Sequence, residues 1–92
     1  MSTIIGQIYQ VGESQVFGQN SFQKRELILK TVEEYPQFIK IEFHQGNCTL
    51  PDLFEEGQNV KISYNLKGRM YEKDDTSIEF YNSIVGWKIE RV

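Results

Sequence analysis

Apolar residues in this 92-residue chain recur at every second position, and no long window sustains the i, i+3, i+4, i+7 spacing of an amphipathic helix. The pattern predicts five strands. The first runs from about Ile4 to Val16, with Gly6 and Gly12 marking bulges or bends that let one long strand serve both halves of a small barrel. A turn cluster, Phe17-Gly18-Gln19-Asn20-Ser21, leads into a second strand, Gln23 to Thr31, with Leu27 and Leu29 on one side and Lys24, Glu26, Ile28 and Lys30 on the other. Pro36 breaks the pattern before strand three, Phe38 to Gln45, where Ile39, Ile41 and Phe43 face inward and Phe38, Lys40, Glu42 and His44 outward. Leu50 to Gly57 reads as one or two helical turns closed by glycine. Strand four, Asn59 to Asn65, turns Val60, Ile62 and Tyr64 inward; Leu66 to Thr76 reads as a polar, charged loop; strand five, Ser77 to Glu90, carries a bulge at Gly86 before Trp87.

This order of elements is that of an all-β, five-stranded OB-fold barrel with a short helical turn between strands three and four. An SH3-like barrel, the main competitor, usually carries only a late single 3₁₀ turn, so the position of the helical turn decides for OB. Residues 1–92 suffice for one such domain, without repeats or low-complexity segments.

Composition narrows the function. Six Phe, five Tyr and one Trp make the chain rich in rings, while ten Lys+Arg against thirteen Asp+Glu leave a net charge of -3, so no global attraction draws it to a phosphate backbone. Any such attraction must be local, since charges are screened over roughly 8 Å at physiological salt. The single cysteine, Cys48, forms no internal disulfide, which suits a reducing cytoplasm. The first residues lack the features of a signal peptide and no apolar run approaches the ~18 residues needed to span a bilayer, so no membrane role is expected.

In OB-folds the ligand lies across strands two and three, between the loops joining strands one to two and four to five. Here that face offers Lys24, Ile28, Lys30, Phe38, Lys40 and His44, with Arg25 at the strand one to two rim, and the strand four to five loop adds Lys67, Arg69, Met70, Tyr71 and Lys73. Cations interleaved with rings suit a sequence-tolerant single-strand binder, because cations track phosphates while rings stack on bases. The plainer reading makes the charged positions a solvated sheet face, with Tyr64, Phe80 and Trp87 as barrel core. Glu26 and Glu42, on the same face, stand ready to consume the positive charge in cross-strand ion pairs. Catalysis is not expected: His44 is the only histidine, it makes with Cys48 a two-ligand set at best, and there is no phosphate-cradling glycine motif, so neither metal nor cofactor is called for.

The run Phe22-Gln23-Lys24-Arg25-Glu26-Leu27-Ile28-Leu29-Lys30-Thr31 with Tyr35-Pro36 after it, Tyr64-Asn65-Leu66-Lys67-Gly68-Arg69-Met70-Tyr71, and Tyr81-Asn82-Ser83-Ile84-Val85-Gly86-Trp87-Lys88-Ile89-Glu90 resemble a small family of OB-fold proteins of gut bacteria and their phages, similar to single-stranded DNA-binding proteins. The resemblance covers nearly the whole chain from Gly6. It implies an OB-fold and a part in covering DNA during replication, repair or recombination. His44-Gln45-Gly46 stands where such proteins tend to carry Trp-Gly, the Glu72 to Phe80 loop is longer and more acidic, and the chain stops at Val92 where bacterial relatives continue into an acidic tail. The expected binding set is therefore Lys24, Lys30, Lys40, Lys67, Arg69 and Lys73 on phosphates with Phe38, His44 and Tyr71 on bases, and with Lys24 and Arg25 at the rim orienting the strand, in a cytoplasmic homo-oligomer, since one barrel covers only about 4 to 16 nucleotides. The rival expectation is an OB-fold adaptor whose exposed strands bind protein and never meet nucleic acid.

Overall fold

A computed structural model describes residues 2–18 and 21–92. Its strands are β1 (Ser2–Val11), β2 (Gln15–Phe17), β3 (Phe22–Thr31), β4 (Phe38–His44), β5 (Asn59–Glu72) and β6 (Ile78–Arg91), with a 3₁₀ helix, Gln45–Leu53, between β4 and β5. β1 pairs with β5 through Ser2 to Gln7 and with β3 through Gly6 to Val11, so one strand joins both halves of the sheet. A parallel bridge between Glu42 and Val85 brings β4 to β6 and completes the closed barrel. β1 with β2, then β3, β4, β5 and β6, are the five strands of an OB-fold.

The inward alternation read from the sequence builds the core: Ile8, Leu27, Leu29, Ile41, Phe43, Val60 and Ile62 are buried in one cluster. Trp87 is half-buried, whereas Phe80 is 72% exposed and takes no part in the core. Cys48 and Pro51 of the 3₁₀ helix are buried as well, while Leu50 and Phe54 pack against the cluster and plug its end.

Three boundaries differ from expectation for physical reasons. The long first strand is interrupted at Gly12, although the Gly12 amide still donates to the Glu26 carbonyl at 2.9 Å and keeps the two pieces aligned along β3. Its bulge falls at Tyr9, where the register slips between Ile8 and Gln10, rather than at a glycine. Gly6 instead permits close approach, since a Cβ there would lie 2.6 Å from the Lys30 carbonyl oxygen. The expected turn from Phe17 to Ser21 joins β2 to β3, but its Gln19 and Asn20 lie outside the described residues.

The helical turn starts earlier than Leu50. Gln45 adopts a left-handed backbone (φ 52°), which ends β4 and opens the 3₁₀ helix directly, leaving Pro51 inside it. Gly57, also left-handed (φ 93°), does not cap this helix; it closes the following turn, where its amide donates to the Ile8 carbonyl at 2.7 Å.

The largest correction concerns Leu66 to Thr76, expected as a loop. β5 and β6 remain paired from Leu66↔Ile84 to Glu72↔Ile78, so only the stretch from Lys73 to Ser77 turns. There the Asp74 carboxylate accepts from the Thr76 amide at 2.8 Å and hydroxyl at 3.0 Å, and the Lys73 amide donates to the Ser77 carbonyl. Seven residue pairs at ~3.4 Å per residue make a two-stranded arm of about 24 Å beyond the barrel, in a molecule 47 Å along its longest axis.

Candidate nucleic-acid interface

Strand alternation puts two sets of side chains on the outer face of the sheet. On β3 and β4 these are Phe22, Lys24, Glu26, Lys30, Phe38, Lys40, Glu42 and His44, with Lys24 opposite His44 at one end of the ladder and Lys30 opposite Phe38 at the other. On the arm, Lys67, Arg69 and Tyr71 share a face with their cross-strand partners Ser83, Tyr81 and Glu79. The arm stands over the β3–β4 face, and the two surfaces enclose an open groove of about 790 Å³. Four of the side chains lining it are cations, Lys24, Lys40, Lys67 and Arg69, against one carboxylate, Glu42. Around them are the rings of Phe22, His44, Tyr71 and Tyr81. The groove is therefore basic inside a chain whose net charge is -3.

Ion pairing removes little of that charge. Lys40 lies 3.5 Å from Glu26, but both side chains are well exposed, so the pair is weak. Glu42 is held by His44 at 2.9 Å. Among the described residues, Lys24, Lys67 and Arg69 form no ion pair. Lys24 instead lies over the Phe17 ring, 5.2 Å from its centroid. The imidazole of His44 also meets the edge of Phe22 at 4.9 Å, which fixes its orientation from two sides.

Tyr81 donates from its hydroxyl to the Glu79 carboxylate, and this bond raises its pKa above the ordinary value. Glu79 also faces Lys73, 3.5 Å away near the arm's turn. Asp74 in that turn has its pKa lowered, first by the Thr76 amide and then by the Thr76 hydroxyl.

Of the residues expected at the site, Lys24, Lys40, His44, Lys67, Arg69 and Tyr71 line the groove. Lys73 sits beyond it at the arm's turn. Lys30 and Phe38 belong to the far end of the same outer face, where Lys30 lies 6.0 Å over the Phe38 ring and Tyr9 meets Phe38 edge-on at 4.9 Å. Six residues along β3 separate Lys24 from Lys30, about 20 Å of strand.

Arg25 is elsewhere. It has the inward parity of Leu27, and its guanidinium donates from Nε to the Gly12 carbonyl at 2.8 Å and from Nη1 to the Cys48 carbonyl at 3.0 Å and Asp52 Oδ1 at 2.7 Å. It ties the β1–β2 bend to the 3₁₀ helix. Three ring-bearing positions were missed. Phe22 shares the even parity of Lys24, Tyr81 alternates with Glu79 and Ser83 opposite Arg69, and Tyr9 alternates with the inward Ile8. Parity alone places all three.

Among the described residues no three His, Cys, Asp or Glu side chains gather as a metal site would need, and no helix is long and apolar enough to cross a membrane. The chain is similar in structure to the mitochondrial single-stranded DNA-binding protein Rim1 of S. cerevisiae, with a TM-score of 0.67, 16% identity, and coverage of 99% of this chain and 92% of that one. At that identity the likeness establishes the OB-fold. No curated protein matches the sequence. A family model does match, over residues 3–90, and by that match the chain belongs to the family described as a domain of unknown function, DUF3127.

Proposed function

We propose that the protein binds single-stranded DNA without strong sequence preference, along the groove between the β3–β4 face and the β5–β6 arm, and does no chemistry on it. The observation that carries this reading is the composition of the groove, four cations and four rings against one carboxylate. Lys24, Lys40, Lys67 and Arg69 would hold phosphates, while Tyr71 and Tyr81 would stack on bases. His44 and Phe22 form the floor. The strand would leave the groove toward Lys30 and Phe38, where Tyr9 adds a ring, while Lys73, paired with Glu79 beside the acidic turn, would lie off its path. The likeness to a mitochondrial single-stranded DNA-binding protein supports the same assignment. The setting we infer is replication, repair or recombination of bacterial or phage DNA in the cytoplasm, by a homo-oligomer that sums short footprints.

Anisotropy titration of a labelled oligo-dT tests the proposal. Four phosphate contacts at about -0.7 each give a log-log salt slope near -2.8, so affinity should fall about fifty-fold between 50 and 200 mM salt. Absence of binding at low salt would sink it and favour the adaptor reading.

A further inference from the structure

The inward parity of β5 and β6 does not stop where the barrel does. Val60 and Ile62 are fully buried, and the same side of the ladder continues through Leu66, then the Gly68–Asn82 pair, then Met70, Phe80 and Ile78 on the arm, where no described residue covers it. The four apolar side chains, Leu66, Met70, Phe80 and Ile78, are 72, 57, 72 and 54% exposed. The opposite side of the same ribbon carries Lys67, Arg69, Tyr71, Tyr81 and Glu79. A two-stranded ribbon is marginal in water by itself, and this one presents large apolar side chains to solvent on either side of its Gly68–Asn82 pair.

We propose that this stripe is a self-association surface, on which a second copy of the chain lays the same stripe about a two-fold axis. Charge selects that occupant. The stripe's only ionisable member is Glu72 at its distal end, so it offers nothing for a charged partner or a phosphate to pair with. Copies of a chain of net charge -3 repel one another in sum, and the stripe, uncharged but for Glu72 at its end, lets two of them approach without opposing like charges. An isologous contact needs a self-complementary patch, which apolar side chains on both partners supply.

Area agrees. Four side chains more than half exposed present on the order of 400 to 500 Å² of apolar surface, within the range of the largest, often functional, patches on monomers. That is about half of the roughly 800 Å² per partner in a standard interface. Docked this way, the two basic grooves face outward on opposite sides of the paired arms. The surface is independent of nucleic-acid binding and stands or falls without it.

Sedimentation velocity of the full chain without DNA, over a range from micromolar to about millimolar, decides the matter. We expect a reversible dimer, with Phe80→Asp weakening it at least about thirty-fold, as loss of a central aromatic anchor does. Leu66→Lys should act in the same direction, and Tyr71→Ser, on the other side of the ribbon, should leave association unchanged. Phe80 and Leu66 lie outside the core, so unchanged Trp87 fluorescence and circular dichroism will confirm folding. A wild-type chain monomeric throughout would overturn the proposal, as would an oligomer indifferent to both Phe80→Asp and Leu66→Lys, or one dispersed equally by Tyr71→Ser.

Discussion

Lys24 and Arg25 are neighbours in sequence with opposite roles, and substituting each in turn separates binding from folding. Arg25 is largely buried, with 16% of its side chain exposed, and its removal frees the carbonyls of Gly12 and Cys48. The Asp52 partner is 61% exposed, so that ion pair contributes only about 0–1 kcal/mol. Bonds from a charged donor to the two carbonyls are each worth about 1.5–3 kcal/mol. Allowing for partial solvation of the freed oxygens, Arg25→Ala should destabilise the barrel by about 2–3 kcal/mol. For a domain of this size that is a fall in Tm of roughly 10–20 °C, read by circular dichroism. Well below that temperature, the salt slope of oligo-dT binding should match the wild type. Lys24→Ala should do the reverse, leaving Tm in place and making the slope shallower by about 0.7. If Arg25→Ala instead kept its Tm and flattened the slope, the clamp would be misread and Arg25 would return to the interface.

Gly86→Ala places a Cβ 2.6 Å from Cε1 and 2.8 Å from Cζ of Phe43, a fully buried ring with nowhere to retreat, and should cost about 1–3 kcal/mol in chemical denaturation. Phe43→Leu in the same chain should relieve part of that cost; strict additivity of the two would argue against the contact. Tyr71→Ala should weaken oligo-dT binding by about 1–3 kcal/mol at any salt concentration without changing the salt slope, and a flatter slope would mean the ring acts by arranging cations rather than by stacking. In Tyr81 the folded-state pKa lies above the unfolded one, so the bond to Glu79 is present at neutral pH and lost as pH rises through the folded value, above 10.0. Glu79→Gln should bring that ionisation back to the ordinary tyrosine range in an ultraviolet titration, and identical titration curves for the two proteins would remove the bond from the account.

The barrel was legible because the inward residues of β3 and β4 alternate without interruption. Leu27 and Leu29 with Ile39, Ile41 and Phe43 leave one choice of face, and the partner strands must agree with it. The arm was not, because it has no barrel beneath it. Leu66 and Met70 keep the period, but Gly68 interrupts it and Lys67 and Arg69 give the stretch the polarity of a loop; only pairing with Ile78 to Ile84 reveals a strand. The 3₁₀ helix began where no sequence signal stands, since glutamine has no preference for the left-handed backbone that Gln45 adopts. Arg25 went astray for a different reason. Its position in the alternation already placed it inward, and its charge suggested the surface; position proved the better guide, because the part-buried carbonyls of Gly12 and Cys48 at the barrel end accept from its Nε and Nη1.

The net charge of -3 described the molecule and not the groove. Most carboxylates stand at the ends of the fold: Glu33 and Glu34 between β3 and β4, Asp52, Glu55 and Glu56 in and after the 3₁₀ helix, and Glu72, Asp74 and Asp75 around the arm's turn. Only Glu42 lines the basic groove, and His44 engages it. Within a screening length of roughly 8 Å, a strand lying there meets cations first. The acidic turn then limits its path. Asp74 is held anionic by the Thr76 amide and hydroxyl, so it sets a fixed negative charge at the tip of the arm. A phosphate backbone would be repelled there and drawn toward Lys67, Arg69 and the barrel wall. On the proposed reading, the same carboxylates that make the protein acidic would confine a bound strand to the part of the arm that faces Lys24 and Lys40.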